Sequence, residues 1–269
     1  MEVSQLTEFS DQVIKAVELA SIEVMDIYNS ERFMVEDKSD GSPVTIADKK
    51  SHEVLFSYLT SIDSSIPILS EEGDRQDSNL EKFWLIDPLD GTKEFINKNG
   101  EFTVNVALIE EGKPILGVVS APAINETFLG FAGAAYKIVN EDKISINAQK
   151  QSEEHCLVTV SKSHKSEQDR LFIDLCRKKF KSVEELPTGS SLKLCRVAEG
   201  RANIYSRLGP TYQWDIAAGQ AVVEASGGIV SDLSGKALRY EFISEKKNPL
   251  FFCSGDPIYP WKVLFEELI

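Results

Sequence analysis

Long apolar runs, paired cysteines and an excess of basic residues are all absent from this chain of 269 residues. No segment reaches the roughly 18 consecutive apolar residues that a membrane-spanning helix needs. The four cysteines show no CxxC spacing, which favours reduced thiols in a cytoplasmic protein over a disulfide framework. The first residues, MEVSQLTEFSDQ, are acidic and lack the basic-then-apolar pattern of a secretion signal. We expect a cytoplasmic location without a transmembrane segment, and leave peripheral contact with the inner face of the membrane open.

The charge balance is strongly acidic, with a formal net charge of −14. A polynucleotide partner is disfavoured, because a phosphate backbone is held by clustered Lys and Arg side chains. A small anionic substrate remains compatible with this charge, since metal ions convert an acidic pocket into a phosphate site.

The order of predicted elements indicates an α/β (α+β) fold in two lobes. An amphipathic helix opens the chain, and the strands in SIPILSEEG and KFWLIDPLDGT both end in carboxylates. Sheets of this kind commonly place ligand sites at such strand ends. The pattern changes near residue 144 to alternating strand and helix. We predict lobes 1–143 and 144–269 that share one interface and form one structural unit.

The stretch WLIDPLDGTKEF places Asp87 and Asp90 around a proline at the end of an apolar strand. It is not an EF-hand loop, because the twelfth position from Asp87 is Lys98 where that loop needs glutamate. It is not the Asp-x-Asp-Gly-Thr motif of aspartyl-phosphate enzymes either, because Pro88 occupies the nucleophile position. A covalent phospho-aspartate is therefore not expected.

The chemistry that remains is hard-metal binding. Two carboxylates and the intervening Leu89 carbonyl are suited to a pair of Mg²⁺ ions, which prefer carboxylates together with substrate phosphate oxygens. Two such ions can clamp the attacking and leaving oxygens of a phosphoryl displacement. Gly91 and Thr92 would begin a short helix whose free N–H groups face phosphate oxygens.

Several segments resemble the inositol monophosphatase superfamily of Mg²⁺-dependent, lithium-sensitive phosphatases. The resemblance is strongest in WLIDPLDGTKEF and WDIAAGQAVVEASGG and extends to GSPVTIAD, ILSEEG, NGEFTVNVALIEEGKPILGVVSAP and TGSSLKLCRVAEG. PLDGTKEF, SKSH and GSSLK look most like the 3'(2'),5'-bisphosphate nucleotidase branch, since the inositol branch usually has Thr-Asn in place of Lys93-Glu94. The resemblance implies the layered αβαβα sandwich of the inositol monophosphatase and fructose-1,6-bisphosphatase type.

The family pattern, carried over residue by residue, implies two or three Mg²⁺ ions. Glu71, Asp87 and the Leu89 carbonyl would bind one ion, and Asp87, Asp90 and Asp215 the second.

The same resemblance gives Asp48 and the Thr92 hydroxyl the task of orienting and deprotonating the attacking water. From the residues alone, Asp48 could equally be an acid at a helix N-terminus and Thr92 an ordinary capping hydroxyl.

The second lobe would recognise the remainder of the substrate. Ser161 and His164 resemble contacts to the ribose or base, and Gly189 and Lys193 bracket a segment whose lysine would meet a second phosphate. Gly91 and Thr92 complete the expected substrate contacts. The plainer alternatives are a surface-loop histidine at His164 and a solvated helix surface at Lys193.

The resemblance implies hydrolysis of adenosine 3',5'-bisphosphate to AMP and phosphate by direct attack of water, a reaction that would support sulfur metabolism. The partner would be this small nucleotide, bound by a monomer or homodimer. An inositol or sugar monophosphatase is the alternative, since it would keep the same metal ligands. An inactive nucleotide-binding sensor is a remote alternative, because the six acid and hydroxyl side chains of the predicted centre are all present.

Overall fold

The computed structural model describes residues 1–30, 35–37, 43–162 and 166–268. Its helices are α1 Val3–Asn29, α2 Ile46–Ile62, α3 Thr92–Ile96, α4 Glu167–Lys179, α5 Leu192–Ala198, α6 Ala217–Ala225 and α7 Trp261–Glu266. Its first strands are β1 Val35–Asp37, β2 Pro43–Thr45, β3 Ile68–Ser70, β4 Lys82–Asp90, β5 Thr103–Glu110, β6 Lys113–Ala121, β7 Glu126–Phe131, β8 Ala134–Val139 and β9 Asp142–Ser145. The later strands are β10 His155–Ser161, β11 Ser182–Thr188, β12 Ile204–Arg207, β13 Ile229–Asp232 and β14 Phe251–Ser254.

The first half of the chain forms a seven-stranded sheet in the order β3-β4-β5-β6-β7-β8-β9. The β3–β4 pair is parallel and the remaining pairs are antiparallel, so this is a meander with one parallel edge strand. The β4 strand is almost entirely buried, which explains its near-continuous apolar sequence.

The second half forms a five-stranded sheet in the order β11-β10-β12-β14-β13. Strands β10, β11 and β12 are mutually parallel, and helices α4 and α5 lie in the connections between them. Since parallel strands need such crossovers, this half has the alternating pattern of strand and helix that its sequence indicates.

Helices and sheets alternate in five layers, with a hydrophobic core at each junction. Helices α1 and α2 pack on one face of the large sheet, whereas α5 and α6 fill the space between the two sheets. The outer face of the small sheet is covered by α4 and α7. The predicted αβαβα sandwich is confirmed. In the described part of the chain, no helix is both long and apolar enough to cross a bilayer.

Helix α6 lies directly against the large sheet at two glycines. A Cβ atom at Gly117 would collide with the carbonyl oxygen of Ala218, and one at Gly130 would collide with the Cα atom of Val222. The absence of side chains at these positions therefore sets the depth of α6, and with it the position of Asp215 just before the helix.

Gly117→Ala is expected to lower the free energy of unfolding by about 1–3 kcal/mol, because the added methyl group must displace helix backbone in a packed core. Gly209→Ala is the matched control, since a Cβ atom there would have its nearest neighbour at 3.9 Å. Urea unfolding of both variants tests this. Equal stability of the two variants would contradict the close approach of α6.

Candidate active site

The two acid-ended strands predicted from the sequence lie side by side. Strand β3 runs parallel to β4 with Ser70 opposite Ile86, and the Glu71 N–H donates to the Ile86 carbonyl over 3.3 Å. The Glu71 and Asp87 side chains are hydrogen-bonded to each other. The sheet therefore brings carboxylates from separate segments together.

A bulge in β4 separates Asp87 from Asp90. Asp87 is opposite Asn105 and Asp90 is opposite Thr103, a register shift that absorbs one extra residue. Pro88, which has no N–H to donate, lies inside the bulge. The Leu89 N–H donates to Asp87 Oδ1 over 3.1 Å. The bulge thus interrupts the alternation of the strand and presents both aspartates to one site.

Asp87 and Asp215 are neighbours in a desolvated carboxylate cluster. Burial, followed by the charges of Glu71, Asp90 and Asp215, raises the pKa of Asp87 well above its usual range. Burial and the charges of Asp90 and Glu71 likewise raise the pKa of Asp215, against the opposing hydrogen bond from the Tyr212 N–H. Each shift has the sign expected of buried carboxylates crowded by other acids, and at Asp215 the charge of Arg207 opposes it only in part.

Asp90 is held by the second half of the chain. Its Oδ2 atom accepts hydrogen bonds from the Ser190 hydroxyl, from the Ser191 N–H over 2.7 Å and from the Ser191 hydroxyl over 2.8 Å. Ser191 also contacts the Asp215 carbonyl oxygen over 2.7 Å. These bonds connect segments about a hundred residues apart and fix the acid cluster against helix α5.

Asp48 and Thr92 meet as the family resemblance implies. Asp48 is the N3 residue of α2, and its Oδ2 atom accepts from the Thr45 N–H over 2.8 Å and the Thr45 hydroxyl over 2.6 Å. Its Oδ1 atom accepts from the Thr92 hydroxyl over 3.4 Å. The capping interpretation of Asp48 is therefore correct for one oxygen, while the other faces Thr92 at the start of α3.

A cavity of about 340 Å³ opens beside the carboxylates. The residues that line it are Asp90, Gly91, Lys93, Glu94, Ser161, Gly189, Ser190, Ser191, Lys193, Leu194, Tyr205, Arg207, Thr211, Asp215 and Ile216. Gly91, Ser161, Gly189 and Lys193 are predicted substrate contacts, and all four line this cavity. The lining does not include Thr92, and His164 lies outside the described residues.

Gly189 and Lys193 are already engaged with their neighbours. The Gly189 N–H donates to Glu101 Oε2 over 2.7 Å, so this glycine has no free N–H for a ligand. The Lys193 ammonium donates to the Ser190 carbonyl over 2.6 Å, and the side chain is only 8% exposed. The solvated-surface interpretation of Lys193 is therefore wrong.

Burial lowers the pKa of Lys193 to about 8, although nearby Asp90 raises it. The charge of Arg207 lowers it further. Lys193 and Arg207 therefore line the same cavity as Asp90 and Asp215. Arg207 Nε is buried without a partner in the described part of the chain.

Several residues of the site were not among those predicted from the sequence. Ser190 and Ser191 lie in the family-like segment GSSLK but have no predicted role of their own, and nothing in the sequence singles out Tyr205 or Thr211. A serine pair beside a glycine is ordinary in a loop, and only the fold shows that it contacts Asp90.

The donor set fits a hard divalent cation. It consists of carboxylate and main-chain oxygens, which suit Mg²⁺ rather than a metal that prefers thiolate or imidazole ligands. No group of three or more His, Cys, Asp and Glu side chains in the described residues is arranged to hold a metal ion as it stands. Glu71 and Asp87 are instead hydrogen-bonded to each other. Crowded buried carboxylates with raised pKa values are what a bound cation would stabilise.

Comparison with known proteins gives the family. The model of the inositol monophosphatase family matches residues 5–261. Since this match spans nearly the whole sequence, the chain belongs to the inositol monophosphatase family.

Within that family, the chain is similar in sequence and structure to CysQ proteins. The chain is 42% identical over 245 residues to the 3'(2'),5'-bisphosphate nucleotidase CysQ of Escherichia coli K12, a match covering 90% of the chain and 97% of the relative. The crystal structure of CysQ from Bacteroides thetaiotaomicron superimposes with a TM-score of 0.81 at 34% identity, covering 92% and 97% of the two chains. An inositol monophosphatase–fructose 1,6-bisphosphatase superimposes with a TM-score of 0.78 over both full lengths at 20% identity, which shows the fold alone.

Proposed function

We propose that the chain is a Mg²⁺-dependent 3'(2'),5'-bisphosphate nucleotidase that hydrolyses adenosine 3',5'-bisphosphate to AMP and phosphate. The observation that carries the proposal is that Lys193 and Arg207 line the same cavity as Asp90 and Asp215 of the carboxylate cluster. The acids suit the reacting phosphate through metal ions, whereas Lys193 and Arg207 suit a second phosphate. The similarity to curated CysQ relatives supports this substrate.

The cation ligands would be those implied by the family pattern: Glu71, Asp87, Leu89, Asp90 and Asp215. Bound Mg²⁺ would neutralise phosphate oxygens and make the attacking water more acidic. The protein supplies part of this placement, since the bulge in β4 presents Asp87 and Asp90 together and Ser191 holds the Asp90 carboxylate.

Asp48 and Thr92 would remove the proton of the attacking water. Both donors from Thr45 hold Asp48 Oδ2, so the proton of the Thr92 hydroxyl is directed to Asp48 Oδ1. The lone pairs of Thr92 Oγ1 are then free to accept a proton from water, which the carboxylate can stabilise. The water oxygen attacks phosphorus as its proton passes through Thr92 to Asp48, and the bond to the ribose 3' oxygen breaks. The departing 3' oxygen takes a proton from solvent water, and Asp48 returns its proton to solvent.

The cavity would hold the nucleotide where the proposed lobes 1–143 and 144–269 meet. Lys193 acts as a buried point charge, and the planar guanidinium of Arg207 can donate two parallel hydrogen bonds to phosphate. Ser161 lines the same cavity and would contact the ribose or base.

Phosphate release from adenosine 3',5'-bisphosphate and from inositol 1-phosphate, measured side by side with Mg²⁺, tests the proposal. We expect kcat/KM to be at least about a hundredfold higher for the bisphosphate, a difference of about 2.7 kcal/mol. Comparable values, or a preference for the inositol, would favour a monophosphatase and contradict the assignment of Lys193 and Arg207 to a second phosphate. Nucleotide binding without any release would indicate a sensor.

A further inference from the structure

The Asp90 carboxylate is held from one side only. In the described part of the chain, all hydrogen bonds to this carboxylate end on Oδ2, where Ser190 donates its hydroxyl and Ser191 both its N–H and its hydroxyl. Oδ1 is left for another partner. An arrangement that saturates one oxygen fixes the plane of the carboxylate and directs the second oxygen.

Each serine hydroxyl has a single proton, so its direction depends on a second neighbour. Ser190 Oγ lies 2.6 Å from the hydroxyl of Thr103. Since the charged acceptor at Asp90 takes the proton of Ser190, Thr103 must be the donor in this contact. The order of donation is therefore from Thr103 to Ser190 to Asp90.

The other serine is controlled in the same way by an amide. Asn105 donates from Nδ2 to Ser191 Oγ over 2.9 Å and so occupies a lone pair of that oxygen. The proton of Ser191 is then available to the Asp90 carboxylate at 2.8 Å and the Asp215 carbonyl at 2.7 Å. The hydrogen bonds that begin at Thr103 and at Asn105 therefore both lead to the Asp90 carboxylate.

Thr103 and Asn105 are rigidly placed. They lie on β5 opposite Asp90 and Asp87, and their exposed fractions are 0% and 1%. Ser190, by contrast, has a backbone φ of +50°, in the left-handed region that favours glycine. A strained serine persists where surrounding contacts hold it, and Thr103 provides one such contact from the sheet.

We propose that Thr103 and Asn105 are positioning residues that set the direction of the Ser190 and Ser191 hydroxyls, so that Asp90 Oδ2 is held and Asp90 Oδ1 is directed at a divalent cation. The inference rests on the proposed function in that it takes Asp90 as a cation ligand. Hydrogen-bonded partners of ligating carboxylates commonly set ligand orientation and affinity.

The test is Mg²⁺ binding to the full chain without nucleotide, measured by isothermal titration calorimetry alongside kcat and the melting temperature. Thr103→Val removes the hydroxyl and keeps the shape, and Thr103→Ser restores the hydroxyl. Thr159→Val is the matched control, because Thr159 is also buried and its hydroxyl has no partner in the described residues. We expect T103V to weaken Mg²⁺ binding about tenfold, with T103S within about twofold of the parent chain and T159V unchanged.

Unchanged Mg²⁺ affinity in T103V would overturn the inference, whatever happens to its melting temperature. Should T103V not melt cooperatively, Asn105→Leu removes the other donor and decides by the same titration. The proposed function can fail without the positioning role. In that case the parent chain hydrolyses no bisphosphate, while the T103V variant still loses Mg²⁺ affinity. Hydrolysis by the parent chain together with unchanged affinity in both variants rejects the positioning role alone.

Discussion

Replacing Asp90 by alanine is expected to lower kcat for the bisphosphate by at least about a thousandfold, because several kcal/mol of cation-derived stabilisation of the transition state would be lost. Asp90 is the acid that joins the two halves of the site, since its carboxylate adjoins Asp87 and Asp215 and accepts from Ser190 and Ser191. Steady-state phosphate release over a range of Mg²⁺ concentrations measures the loss. Alanine also removes the carboxylate to which Ser190 and Ser191 donate, so this variant alone does not separate catalysis from structure.

Asp90→Asn makes that separation. The amide oxygen can still accept from the serines, whereas the negative charge that would attract a cation is gone. We expect nearly the same loss of kcat with little change in the melting temperature, and a weaker stabilisation of the protein by added Mg²⁺. Asp142→Ala, at an exposed position on β9, is the control for removal of an acid. Turnover by D90N within about tenfold of the parent would contradict the assignment of Asp90 as a cation ligand.

Local pattern was sufficient to predict the elements that carry the acids. Strand β4 is continuously apolar up to Asp87, and β3 repeats this plan on a smaller scale, so their carboxylate ends could be expected to meet. The segment WDIAAGQAVVEASGG is apolar and ends in two glycines, a pattern that indicates a helix with a glycine stop, and Gly227 follows α6 with a positive φ of 94°. Strand β11 was not predicted, since its burial is mixed and it contains Pro187, which suits its place at the edge of the sheet.

Contacts between distant segments could not be predicted from the sequence. Nothing local to Ser190 and Ser191 shows that their hydroxyls reach Asp90, because that contact depends on how α5 packs against the large sheet. The burial of Lys193 was hidden for the same reason: its helix is short and packs between two sheets, so its polar residues are covered as well. The family resemblance supplied roles for single residues, whereas the supporting contacts appeared only in the fold.

Lys193→Met is expected to raise KM for adenosine 3',5'-bisphosphate by about 10- to 150-fold, since a hydrogen bond to a charged group in a desolvated site contributes about 1.5–3 kcal/mol. Methionine keeps most of the packing volume that alanine would lose. The matched substrate is adenosine 3'-monophosphate, which presents the same leaving group without the second phosphate. The KM of K193M for this monophosphate should be nearly unchanged. Lys178→Ala, at an exposed position on α4, should change the KM of neither substrate. Equal losses on both substrates would contradict the role of Lys193 at the second phosphate.

The pH dependence of substrate preference gives a second test of the role of Lys193. Because the pKa of Lys193 is lowered to about 8, its charge is present below that pH and is lost above it. The charged groups that set this value are Asp90, Glu94 and Glu101, which raise the pKa, and Arg207, which lowers it. The second pKa of a phosphate monoester is about 6, so each phosphate group of both substrates stays dianionic over this range. The ratio of kcat/KM for the bisphosphate to that for adenosine 3'-monophosphate should therefore fall as the pH rises through about 8.

Taking the ratio cancels the ionisations of the metal centre, which affect both substrates alike. In the K193M variant the ratio should be independent of pH. A fall that persists in K193M would assign the titration to another group and leave Arg207 as the main contact to the second phosphate.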